Sequence, residues 1–132
     1  VQSFVPVTKY AITYESSGRW RTLAAPVYFL YRGITFCIPA GFRWNGASVP
    51  WLLWWWVSPW TRWVVLASCV HDWLYGNKRL PRRDADRIFL QLLLIEARRC
   101  RWRWRRYHLT VRARIMYQAV RQFGDLVAGA DW

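Results

Sequence analysis

An α+β fold is predicted for this chain: a small antiparallel N-terminal sheet packed with a C-terminal set of about three helices. Three observations predict it. The first 44 residues hold short runs rich in Val, Thr, Tyr and Phe, separated by turn residues. From Thr61 onward the apolar residues recur at helical spacing. The connections are short, and Pro, Gly and Asn stand where helices should begin and end. With 132 residues the chain is read as one domain, sheet-rich over about 1–48 and helical over about 60–124. A hydrophobic fraction of 55% supplies a core and excludes general disorder.

Phe4 to Tyr14 has strand composition, and Glu15-Ser16-Ser17-Gly18 is turn chemistry that lets Arg19 to Ala24 return as a hairpin partner. Val27 to Arg32 and Ile34 to Ile38 flank Gly33 as a second hairpin. Pro39-Ala40-Gly41 closes it, and Phe42 to Trp44 makes a last short strand. The first helix is expected from Thr61, as N-cap, to Tyr75, ending at Gly76-Asn77. Pro81 suits a helix's first turn, and Arg82 to Arg98 follows with an apolar stripe of Ala85, Ile88, Phe89, Leu92 and Ile95. A third helix is expected over Tyr107 to Phe123, stopped by Gly124.

The charge is lopsided. Twenty basic residues stand against seven acids, a net +13, and 18 of the 20 are arginine. Eight arginines and no acid lie between residues 98 and 114, so most of the excess has one address. There Arg99, Arg101, Arg103, Arg105 and Arg106 are interleaved with Trp102 and Trp104. Guanidinium and indole in alternation suit an anionic membrane surface, and they suit single-stranded nucleic acid by stacking and phosphate pairing. An acidic patch on a protein neighbour is a third partner class. The plain alternative is a solvated loop or short half-buried strand whose indoles pack back on the core. Codon bias in a GC-rich genome also raises Arg and Trp.

Cys37, Cys69 and Cys100 form an odd set without C-x-x-C spacing, which argues against a disulfide framework and against a zinc knuckle. No basic segment followed by an apolar one is visible, so no signal peptide is read. Val49 to Val70 carries a single charge, Arg62, but Pro59 interrupts it and it holds six tryptophans. Trp prefers the membrane interface, so this run is read as an aromatic lead-in to a buried helix rather than a span.

Three groups of residues can carry chemistry. His71 and Tyr75 are four apart and share one face of the first helix, while Asp72 points about 100° away. Asp84 and Asp86 open the second helix, and the short link between the helices brings that region back past His71. Asp86 flanks the apolar stripe and Asp84 leans to the polar side, so Asp86 is the expected partner. A carboxylate-oriented imidazole is a general base, and Asp72 is left free to hold a hard metal ion. The same pair also serves as a satisfied buried hydrogen bond, and acids in a first turn are favoured by the helix dipole. The third group is the loop Gly41 to Pro50, in which Asn45 and neighbouring carbonyls either face a cation or simply cross from sheet to helices.

Gly41 to Pro50 (G-F-x-x-[D/N]-G-A-S-V-P), His71 to Tyr75 (H-D-x-L-Y), Arg83 to Phe89 and Met116 to Gly124 occur in order. This series resembles a domain family of unassigned function common in tailed bacteriophages and prophages, over about residues 26–124. Asn45 stands where that family usually has Asp, and the Arg/Trp segment 98–106 replaces a short linker. The resemblance implies a virion-associated (tail or particle) or assembly component that contacts other phage proteins, in the virion or in the host cytoplasm during assembly.

His71 to Asn77 followed by Asp86 to Phe89 is also similar to the catalytic helix pair of bacterial secretory phospholipases. That similarity implies His71 as the base that activates water, Asp86 as the acid that orients it and Tyr75 as a supporting hydrogen-bond donor. Asp72 would be a ligand to calcium, completed by the loop Asn45 to Ser48. Calcium would polarise the ester carbonyl. The half-cystines that flank the phospholipase helices are absent here. A nucleic-acid-binding accessory role is the remaining expectation, carried by the arginines alone.

Overall fold

A computed structural model describes residues 4–6, 12–14, 20–45 and 64–128, with side chains over 20–45 and 64–123. The chain is α+β: among the described residues six short strands precede three helices. It divides into two compact units, Val1–Asn45 and Gly46–Trp132.

The first unit holds two three-stranded antiparallel sheets. One orders β1 (Phe4–Pro6), β4 (Val27–Tyr31) and β5 (Ile34–Ile38), with β4 in the centre. The other orders β2 (Ile12–Tyr14), β3 (Arg21–Leu23) and β6 (Arg43–Trp44), with β3 in the centre. The run Phe4 to Tyr14 is therefore two strands that belong to different sheets. β1 tolerates Pro6, which has no N–H to donate, because it is an edge strand.

Both expected hairpins form. In β2–β3 Ile12 faces Leu23 and Tyr14 faces Arg21. In β4–β5 Val27 faces Ile38 and Phe29 faces Phe36, whose rings stack at 5.1 Å. Strict alternation buries Val27, Phe29 and Tyr31 and turns Tyr28 and Leu30 outward. The β4–β5 connection is the two-residue turn Arg32-Gly33, both with positive φ (50° and 79°), the geometry that matches strand twist. Gly41, with φ of 88°, closes the turn after β5, where its N–H donates to the Leu23 carbonyl at 2.7 Å.

In the second unit α2 (Arg82–Arg98) packs against both α1 (Val65–Asn77) and α3 (Arg103–Ala128). The core is Val70, Leu74, Ile88, Phe89, Leu92 and Leu93, joined by Leu109, Ala113, Met116 and Val120 of α3. Thr61 and most of the aromatic run, residues 46–63, lie outside the described residues. None of the described helices is long and apolar enough to cross a membrane.

Three helix borders differ from expectation. Gly76 and Asn77 lie inside α1, and the left-handed residue that ends it is Lys78 (φ 54°), whose N–H returns to the Leu74 carbonyl at 2.9 Å. Gly124 lies inside α3 instead of stopping it; a lone helical glycine costs only about 1 kcal/mol against alanine. The Arg/Trp segment is not a strand: α3 begins within it, at Arg103, and the Arg106 N–H bonds the Trp102 carbonyl at 2.9 Å.

Lys78 holds a conformation that costs a side-chain-bearing residue roughly 1 kcal/mol. Lys78→Gly is accordingly expected to stabilise the chain by about 1 kcal/mol, seen as a higher urea midpoint. A lower midpoint would contradict the assigned cap.

Candidate functional site

Asp86 lies in the second turn of α2, and its carboxylate is fully buried. Three donors from two other helices converge on it. His71 Nε2 and the Tyr75 hydroxyl, both from α1, each approach Oδ1 at 2.6 Å. Arg121 Nη1, from α3, donates to Oδ2 at 2.8 Å. Behind this, buried Arg82 donates from its guanidinium to the Arg121 backbone carbonyl at 3.2 Å. Local sequence explains the geometry: His71 and Tyr75 are one helical turn apart, as are Arg82 and Asp86, so each pair shares a face.

Burial by itself pushes the Asp86 carboxyl up, but hydrogen bonds from His71, Tyr75 and Arg121, with the charge of His71, outweigh it and hold its pKa below the ordinary value. Tyr75 moves the other way. Burial raises its phenol, and the neighbouring Asp86 carboxylate raises it further against the opposing charges of Arg82 and Arg121. Tyr75 is thus a fixed donor and Asp86 a fixed anion.

An ionised carboxylate only accepts, so the hydrogen at 2.6 Å must sit on His71 Nε2. In the neutral ring this leaves the lone pair on Nδ1. That nitrogen is buried and has no hydrogen-bond partner among the described residues. The ring is held between Tyr75, at 4.1 Å between centroids, and Phe89, at 5.0 Å. The arrangement is an imidazole anchored and tautomer-fixed on one side, with a basic nitrogen on the other.

The depressed Asp86 pKa has a consequence for acid stability. The carboxylate's contribution is complete above its unfolded pKa of about 3.9 and is lost as pH falls through the lower folded value. Urea midpoints are therefore expected to fall steeply only below about pH 4. Asp86→Asn, which takes up no proton, should flatten that fall. An unchanged acid slope in the variant would place the acid sensitivity elsewhere.

Of the other residues singled out by sequence, Asp72 is half-buried on α1 beside His71, and its charge adds to the burial that raises the Cys69 thiol. Among the described residues no three His, Cys, Asp or Glu side chains converge as a metal site. Asn45 is the last residue of the first unit, and the loop Gly46 to Ser48 lies outside the described residues. All three cysteines are free thiols.

Arg99, Arg101, Trp102, Arg103, Trp104, Arg105 and Arg106 are all exposed, with Trp102 and Trp104 at 76% and 73%. These indoles do not pack back on a core. Arg99 pairs with Glu96 at 2.9 Å, and the Arg106 guanidinium bonds the Cys100 carbonyl. Sequence reasoning missed Arg121 and Arg82. The available signal was that Arg82 stands one turn before Asp86 and that Arg121 adjoins the buried stripe ending at Val120.

Residues 20–120 match the sequence model of a family described as a protein of unknown function, DUF1353. Comparison with curated proteins and with solved structures returns no match.

Proposed function

The chain belongs to the DUF1353 family of proteins of unknown function, and we propose that it is a bacteriophage or prophage protein whose His71–Asp86 dyad activates water for ester hydrolysis. The phage assignment rests on the four ordered motifs between Gly41 and Gly124. The observation that carries the chemistry is His71 Nδ1, buried and without a partner among the described residues, opposite an Nε2 that a buried carboxylate holds at 2.6 Å. A purely structural histidine is expected to satisfy both ring nitrogens when buried.

In this reading Nδ1 takes a proton from water as the water oxygen bonds to the ester carbonyl carbon. The proton then passes from Nδ1 to the leaving alkoxide as the C–O bond breaks. Asp86 stays ionised and stabilises the imidazolium, while Tyr75 and Arg121 hold Asp86. Host envelope lipid is the ester class suggested by the similarity of the helix pair to bacterial secretory phospholipases. The test is release of fatty acid from phospholipid vesicles by the purified chain, with and without added Ca2+. No release under either condition would sink the reading.

A second reading is favoured by one observation, the burial of His71 to 1% exposure. Here the protein is a non-enzymatic virion or assembly component, and Asp86 is the tie that joins three helices. It expects the chain in purified particles and no ester hydrolysis.

A further inference from the structure

α3 carries two apolar stripes. Leu109, Ala113, Met116 and Val120 are buried within the helical unit. Trp104, Tyr107, Val111 and Ile115 are spaced three, four and four residues apart, so they form a line of their own. At 100° per residue that line lies on the side opposite the buried one. Its members are 73%, 62%, 39% and 43% exposed. Trp104 stacks on Tyr107 at 6.5 Å and leans on His108, so the end of the line is an ordered aromatic cluster.

Arginines border this outer line on both sides. Arg103 and Arg114 fall on one flank, Arg105 and the half-buried Arg112 on the other. No acid occurs from residue 97 to 124. A second copy of the chain would set this cationic border against itself, with no carboxylate between residues 97 and 124 to relieve it. Single-stranded nucleic acid would use the arginines and aromatic rings, but Val111 and Ile115 offer it nothing to stack on. A row of aromatic then aliphatic side chains between two rows of guanidinium groups matches the boundary between acyl chains and phosphate headgroups.

We infer that the outer face of α3, centred on Trp104, Tyr107, Val111 and Ile115, docks on anionic lipid bilayers. The arginines engage headgroup phosphates and the central line enters the acyl boundary. This binding stands whether or not His71 acts as a base, and its test reads binding alone. The full chain is sedimented with vesicles of equal parts phosphatidylglycerol and phosphatidylcholine, and with phosphatidylcholine alone.

Binding to the anionic vesicles is expected to be at least about tenfold tighter, and weakened by high salt. The doubly substituted Val111→Ser, Ile115→Ser chain keeps every charge and alters only exposed side chains. It should bind the anionic vesicles about tenfold more weakly, with unchanged circular dichroism. Arg103→Gln with Arg114→Gln should weaken binding similarly and reduce its salt dependence. Equal binding to both vesicle types would overturn the proposal, and so would full binding by the Val111/Ile115 variant. Tighter binding to single-stranded DNA than to anionic vesicles, insensitive to that variant, would assign the face to nucleic acid instead.

Discussion

Asp86→Ala is expected to destabilise the chain by about 3–5 kcal/mol, the range for removing one partner of a buried charged pair. The magnitude follows from what is left behind rather than from the carboxylate itself. His71 Nε2–H loses its acceptor in a ring that is 1% exposed, and the half-buried Tyr75 hydroxyl loses its acceptor as well. Each orphaned donor costs about 1–3 kcal/mol when no water replaces the bond. Arg121, whose side chain is 24% exposed, can turn part of its guanidinium to solvent and contributes less. Asp86→Asn keeps an acceptor for the two α1 donors but sets an amide against Arg121 Nη1, so it should fall between wild type and alanine. Urea unfolding of the three proteins at neutral pH measures the series. An alanine variant within about 1 kcal/mol of wild type would mean that the three helices do not depend on this carboxylate.

The convergence on Asp86 was only partly legible beforehand, and the reason is separation along the chain. His71, Tyr75 and Asp86 sit on two helices joined by a short link, so helical period and a turn suffice to bring them together. Arg121 is 35 residues from Asp86, and one sequence with 18 arginines does not mark which of them returns to a buried acid. The strand region shows the same limit. Both hairpins follow from local turn chemistry. The assignment of β1 to β4 and of β6 to β3 is a tertiary choice that strand composition does not encode. At the start of α3, Arg-Trp alternation has the period of a strand, yet arginine is a good helix former and the segment continues straight into a helical pattern. Two repeats of alternation are too few to outweigh that continuity. The loop expected to complete a cation site lies, from Gly46 onward, outside the described residues.

His71→Gln separates the catalytic reading from the structural one because glutamine reproduces one ring nitrogen and not the other. Its amide nitrogen can reach Asp86 Oδ1 in place of Nε2–H, so the buried acceptor stays paired and the three-helix tie persists. It supplies no basic nitrogen in place of Nδ1, the atom with no partner among the described residues. Because the bond to Asp86 is kept, stability is expected to fall by no more than about 1.5 kcal/mol. Fatty-acid release should drop roughly 100- to 10,000-fold, the range for loss of a general base. His71→Ala should lose activity to a similar degree and stability by more, since it also leaves Asp86 one donor short and opens space between Tyr75 and Phe89. If both variants lose stability while hydrolysis by His71→Gln stays near the wild-type rate, the imidazole is only a strut. The combination of a stable fold with lost turnover in His71→Gln is one that a structural histidine does not produce, because a strut that has been replaced by an equivalent hydrogen bond has no second function to lose.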